Sequence, residues 1–300
     1  MTASPLSTAP RVFDRLAVRR HRERAAAGLG GHDFLLAETA ARLADRLDDI
    51  TRRFPLAVEL GSRGGQLGRA VAGHGGIERL VQVDVAPRCL GRLAGERVAA
   101  DEELLPFAEG SLDAVLSNLA LHAVNDLPGA LAQVRRALKP DGLFLAAMPG
   151  GATLYELREA FVAAETALEG RASPRVAPFA EAQALGALLQ RAGFALPVVD
   201  TDRIDVDYAD AIALMRDLKG MGEANALAER RRGLTRPAVL AAVAAAYAER
   251  FADPATGRVK ATFDIVFLTA WAPAAAQPRP KPRGSATISL RDALGGDGDG

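Results

Sequence analysis

The sequence predicts an α/β fold: a mostly parallel central sheet with helices on both faces and a helical insertion before the last strand. Two observations carry this reading. Apolar runs at 56–60, 80–85, 97–101, 112–118 and 143–148 alternate with segments of helical periodicity. Such alternation with short connections is the pattern of strand–helix–strand crossovers in a parallel sheet. The first run, LAVELGSRGGQLG at residues 56–68, also spills from a strand into a glycine cluster. Sheets of this kind bind ligands at the carboxyl ends of their strands.

Taken in order, residues 1–32 read as a flexible N-terminal segment, with the arginines of VRRHRER (18–24) on a solvated helix face. From Asp33, an expected N-cap, the residues Leu36, Leu43, Leu47 and Ile50 recur on one helical face until Pro55. Strand 56–60 is followed by a helix near 66–73, strand 80–85, a helix near 87–94 and strand 97–101. After the turn AEGS come strand 112–118, helix 127–138, the turn KPDG and strand 143–148, closing a core at 55–150. Beyond it, helices are expected at 153–169 and 178–194, then the strand-like pieces PVVDTD and RIDVDY. A helix at 208–218 is broken by GMGEANA, another runs from Pro237 to about 252, and 262–272 is the last strand. The domain thus spans 33–272, with 153–252 as an insertion and substrate region. The Pro/Gly-rich residues 273–300 read as a disordered tail.

Three hundred residues are enough for one large domain with a full core. Basic and acidic residues balance at 37 each, so no nucleic-acid footprint is present. The single cysteine, Cys89, excludes an intrachain disulfide and a cysteine-based zinc site. No metal is expected: His21-Arg22-Glu23 matches part of an iron triad formally, but lies outside the sheet. No apolar run approaches the ~18 residues of a membrane span. A cytoplasmic protein is expected, a monomer or weak dimer, touching a membrane only peripherally through a partner.

The glycine loop fails the dinucleotide fingerprint, because Arg63 and Gln66 stand where glycines are needed. It lacks the Gly-Lys-Ser/Thr of a phosphate loop as well. Acid–x–Gly–x–x–x–Gly remains, with Glu59, Gly61, Ser62 and Gly65, a skeleton that suits the amino-acid moiety and ribose of S-adenosylmethionine (SAM). Asp84, with Val85 after it, ends the next strand at the roughly 20-residue separation that a ribose-binding carboxylate requires. Asp101 and Glu102, followed by Leu105-Pro106-Phe107, end the third strand where adenine would lie. Asn118 and Leu119 lie in LSNLALH (116–122), at the end of the fourth strand. In this order, the four signals point to SAM.

Residues 55–150 therefore resemble the class I SAM-dependent methyltransferases, whose Rossmann-like fold the chain is expected to adopt. VFDRLAVRRHRERAAA, LADRLDDITRRFPLAVELG, ADEELLPF, LALHAVNDLPGALAQVRRALKPDGLF, GGATLYELREAF, DLKGMGEANA and RGSATISL narrow the likeness. Together they are similar to the family of complex I assembly factor 5, a protein-arginine hydroxylase on a methyltransferase fold. The malonyl-acyl-carrier-protein methyltransferases of biotin synthesis are a more distant resemblance. Arg63, Gly64, Ala123 and Ala152 depart from the family pattern.

The family resemblance implies a complex I (NADH:ubiquinone oxidoreductase) subunit as protein substrate, and the mitochondrial matrix if the source is eukaryotic. Methyl transfer needs mainly an aligned acceptor, so the catalytic residue is unknown; His122 and Tyr155 are the polar candidates. The aspartates 200, 202, 205, 207 and 210 offer a place for a guanidinium, or simply a solvated strand face. Two alternatives stand beside arginine modification: a methyltransferase acting on an acyl-carrier protein or small molecule, and a non-catalytic SAM-binding chaperone. Arg63→Gly is expected to leave the fold intact and to change SAM affinity less than about tenfold.

Overall fold

The computed structural model describes residues 11–278. Within them, seven strands form one sheet: β1 (Leu56–Leu60), β2 (Arg79–Asp84), β3 (Glu96–Ala99), β4 (Leu112–Asn118), β5 (Leu138–Pro149), β6 (Ala195–Tyr208) and β7 (Val259–Trp271). Their order is β3-β2-β1-β4-β5-β7-β6. Strands β1 to β5 are parallel, and β7 lies antiparallel between β5 and β6. The chain winds outward from β1 to β3 and then returns across β1 to β4. This reversal opens a crevice at the carboxyl ends of β1 and β4, the place where doubly wound sheets hold ligands.

Nine helices accompany the sheet in the described residues: α1 (Arg15–Ala25), α2 (Phe34–Asp48), α3 (Gln66–Ala70), α4 (Pro87–Leu90), α5 (Leu127–Ala137), α6 (Tyr155–Glu169), α7 (Ala182–Arg191), α8 (Ala211–Gly220) and α9 (Pro237–Phe251). They form two apolar layers. Ala57 of β1 packs with leucines of α2 and with α6, α8 and α9, whereas Val58 and Leu60 face α5 and α7. Side chains alternate along a strand, and with both faces covered the strand reads as a continuous apolar run. Helix α2 buries Leu36, Leu43 and Leu47, as its periodicity predicts. Asp33 stands at its N-cap, but its carboxylate accepts from Gln66 Nε2 (2.9 Å) rather than from the helix amides.

Three expectations change. Residues 15–25, expected inside a flexible segment, form α1, with Asp14 accepting from Ala17 N–H at 3.1 Å as a cap. Its stripe of Ala17, Val18, Arg22 and Ala25 is buried, because the acids that pair its arginines come from distant parts of the chain. PVVDTD and RIDVDY, expected as two strand-like pieces, are halves of the single strand β6, which pairs with β7 along nearly its whole length. Strand β5 starts earlier than expected, passing through KPDG with Asp141 at φ 64° and an irregular register opposite Leu112 and Ala114. Residues 1–10 and 279–300, with most of the proposed tail, lie outside the described residues. Among the described residues no helix is long and apolar enough to cross a membrane.

Candidate functional site

The crevice is built first by the loop after β1. Gly61 (φ 77°) and Gly65 (φ 74°) take left-handed conformations that side chains disfavour. At Gly61 a Cβ would also overlap the methyl of Ala120, so glycine lets the loop close against the turn after β4. Arg63 takes the same left-handed region at φ 51°, the backbone reason that a glycine is expected there. Its side chain is only 4% exposed and turns away from the loop. It donates to Met221 O (3.1 Å) and Leu119 O (3.4 Å), and it pairs with the Glu223 carboxylate.

Beneath the loop, Glu59 is buried, and its Oε2 has no partner among the described residues. Burial, assisted by the negative charge of Asp84, pushes this carboxyl up to about 8. Asp84 accepts from the backbone N–H groups of Arg63 (3.0 Å) and Ala86 (2.8 Å), which fixes it at the end of β2. Ser62 is tied down too, its hydroxyl within reach of Val83 O (3.2 Å) and Glu59 O (3.3 Å).

The sequence reading missed the arginines of α1. Arg22, 1% exposed, places Nη1 2.6 Å from Glu102 Oε1 and 3.5 Å from Asp84 Oδ1. Arg15 meets Asp101 at 2.5 Å, pairs with Glu102 and donates to Ala123 O at 2.9 Å. Burial opposes the charge on Glu102, but the guanidinium groups of Arg22 and Arg15 outweigh it and hold the carboxyl near 2. All three acids assigned to ribose and adenine are thus covered by α1. Arg22 and its partners are 62 and 80 residues apart in sequence, beyond the reach of any local pattern.

Beside the loop a partly open cavity of about 130 Å³ is walled mainly by apolar side chains, including Leu35, Leu119, Leu157, Phe179 and Phe263. Its polar end holds Arg22, Arg63, His122 and Glu223. His122 Nε2 lies 3.2 Å from Glu223 Oε2, and the ring packs edge-on to Phe179. His122 Nδ1 is buried without a partner among the described residues. Burial disfavours ionised Glu223, yet Arg63 and His122 beside it keep its carboxyl well below the ordinary range. Glu223 lies in the DLKGMGEANA stretch, where only the family resemblance signalled importance.

Other predicted residues lie elsewhere. Asn118 binds α2, donating to Leu36 O (2.8 Å) and accepting from Thr39 (2.7 Å); it is a buried brace. Leu119 (φ 48°) reaches the cavity, and half-buried Val85 follows Asp84. Tyr155 stacks edge-on against Phe251 and is absent from the cavity wall. The aspartates of β6 do not gather into a pocket. Asp200 and Asp202 pair with Arg46 and Arg42, Asp205 with Arg203 and Lys260, and Asp210 caps α8. His21 donates Nδ1–H to Ala224 O. No group of three or more potential metal ligands comes together among the described residues.

An acid-tipped glycine loop at the switch point, next to acids on β2 and after β3, defines the class as a Rossmann-like SAM-dependent methyltransferase. A methyltransferase-domain family model matches residues 58–146. The solved phosphoethanolamine N-methyltransferase 2 of Haemonchus contortus, in complex with S-adenosyl-L-methionine, shares the fold. Its TM-score is 0.53 at 14% identity, over 86% of this chain and 60% of that one. Likeness in sequence extends much further. The mitochondrial arginine-hydroxylase NDUFAF5 of Danio rerio is 41% identical over 288 residues, 94% of this chain and 89% of that protein. The malonyl-[acyl-carrier protein] O-methyltransferase of Laribacter hongkongensis is 37% identical, over 89% of this chain and 92% of that protein. The chain belongs to the arginine-hydroxylase NDUFAF5 family.

Proposed function

We propose that the chain binds SAM in the crevice and modifies an arginine of a complex I subunit before that subunit is assembled. The donor set fits the cofactor. Glu59 has an orphaned buried oxygen that an ammonium group would satisfy, and Gly61 and Gly65 keep the loop free of side chains. Asp84 is held by two backbone amides and meets Arg22 only at 3.5 Å, a weak contact that ribose hydroxyls can replace. On this reading Asp101 and Glu102 face the adenine, while Ser62, Val85 and Leu119 line the path and Asn118 braces it. When bound, SAM supplies an activated methyl group.

The observation that carries the substrate assignment is the polar end of the cavity. Glu223 is ionised, adjoins the glycine loop and is shared between Arg63 and His122. An incoming guanidinium would bind this carboxylate bidentately by displacing Arg63 and His122 from its two oxygens. His122 stands beside it, with Nδ1 available to hold or move a proton. Accurate intact-mass analysis of the partner subunit, with and without this chain, tests the proposal. A gain of one oxygen marks hydroxylation, and a gain of one methylene marks methyl transfer. An unchanged mass together with normal complex assembly in a deletion strain would sink it.

The likeness to the malonyl-[acyl-carrier protein] methyltransferase and the apolar walls of the cavity support a second reading, methyl transfer to an acyl carrier. Incubation with labelled SAM and acyl-carrier protein discriminates, since arginine modification predicts no label on the carrier. We infer a cytoplasmic location, or the mitochondrial matrix in a eukaryotic cell.

A further inference from the structure

Across the turn at 220–224 from the cavity, an open dish of about 370 Å³ lies between the C-terminal ends of α1 and α8. His21, Arg24, His32, Arg216 and Lys219 line it, and no acid does. Ala224 lines both dish and cavity, so the two share a wall.

The floor is built rather than incidental. Gly220 has no side chain at a place where a Cβ would overlap the His32 imidazole. His32 Nδ1 lies 2.6 Å from Asp217 Oδ1, and that carboxylate also accepts from the Tyr208 hydroxyl at 2.8 Å. His21 uses Nδ1 on Ala224 O at 2.9 Å. The nearest acid is therefore occupied from two sides. Arg24, Arg216 and Lys219 are exposed and form no ion pair among the described residues.

Cations near helix C-termini interact favourably with the helix dipole, which accounts for one such side chain at each end. Three cations and two imidazoles around one open volume go beyond that need. The helices turn carbonyl ends toward the dish, whereas a phosphate dianion is best received at helix N-termini and backbone N–H nests. A carboxylate carries a single charge and is repelled less by those carbonyl ends than a dianion, while a guanidinium takes it bidentately as it would a phosphate.

We propose, resting on the reading that the substrate is a protein, that this dish receives an aspartate or glutamate side chain of that substrate. Because Ala224 lines both volumes, that acidic residue would lie near in space to the residue entering the cavity. It contributes to recognition, and it touches none of the reacting atoms.

The full chain holds only four histidines, so its imidazole resonances are few enough to follow by NMR. The probes are two synthetic peptides that share one arginine, flanked by aspartates in one and by asparagines in the other. Saturable shifts at His21 and His32 are expected with the aspartate peptide. Binding should weaken about tenfold or more with the asparagine peptide, or in an Arg216→Gln/Lys219→Gln variant, as expected when several charge contacts are lost together. Both positions are exposed, and circular dichroism checks that the variant folds. Absent shifts, equal binding of both peptides, or unchanged binding by the variant would overturn the proposal. Tighter saturation by inorganic phosphate than by the aspartate peptide would overturn the carboxylate assignment. The mass experiment on the partner subunit stays separate: a substrate modified equally well by the variant removes the dish and leaves the arginine reading intact. Dish shifts with no mass gain on the partner subunit remove that subunit's arginine as the target and leave the dish as a recognition site for another protein.

Discussion

Arg63 and Glu59 are where single side chains carry the most consequence. Arg63 combines a left-handed backbone, which costs a non-glycine residue about 1–2 kcal/mol, with three links to the 221–223 turn and the loop after β4. Arg63→Gly relieves the first and loses the second, where hydrogen bonds to charged groups contribute about 1.5–3 kcal/mol each. We expect a folded variant, destabilised by about 1–3 kcal/mol in urea unfolding. SAM affinity should change by less than about tenfold in calorimetry, since the side chain points away from the loop. Glu59 makes a prediction in pH. With its carboxyl pushed from 4.5 to about 8, the folded state retains a proton that the unfolded chain has released. This contribution is full below pH 4.5 and is lost as pH rises toward 8. Urea midpoints should therefore fall more between pH 5 and 8 for the wild type than for Glu59→Gln. Parallel profiles would show that Glu59 does not carry the proton.

Among the elements, α1 is the one whose role changed most. Its arginine-rich sequence reads as a solvated face, yet Arg22 is nearly inaccessible and supplies the counter-charge of Glu102 and Asp84. Removing one partner of a buried ion pair costs about 3–5 kcal/mol, because the other is left uncompensated. Arg22→Leu should lower stability by about that amount, and a partner change Glu102→Leu should recover part of it; additive losses in chemical denaturation would contradict this pairing. The same pair responds to acid. Glu102, held near 2, contributes stability that is complete above its ordinary value of 4.5 and is lost as pH falls from there toward 2. The strands were legible because buried parallel strands announce themselves as apolar runs between turn signals. The positions of Glu59, Asp84 and Asp101 at or after strand ends followed from that reading. What covers them did not, since the partners of Arg22 are brought to it only by the completed sheet. Tyr155 and the β6 aspartates were singled out for their chemistry alone, and both have structural partners at hand.

For the whole molecule, the site depends on elements from both ends of the chain. The glycine loop, α1 and the turn after α8 meet through two ionic groups, Arg22 with Asp84 and Glu102, and Glu223 with Arg63 and His122, which the backbone N–H of Arg63 joins by donating to Asp84. The insertion, expected as the substrate region, supplies part of the cavity wall. Ending the chain after residue 255 would remove β7, the only strand that β6 pairs with among the described residues. Hydrogen exchange should then find amides 195–208 unprotected while 56–60 stay protected. Retained protection at 195–208 would contradict this dependence.

The place of β7 in the sheet has a consequence for biosynthesis. Of the described strands it is the last to leave the ribosome, yet it must slot between β5 and β6, both already made. Until residues 259–271 emerge, β6 waits as an unpaired strand, the kind of edge that invites association between nascent chains. Its aspartates at 200, 202, 205 and 207, which looked like a receptor for arginine, give that waiting strand a run of negative charge. Like charges along that edge disfavour its pairing with the same strand of a neighbouring copy.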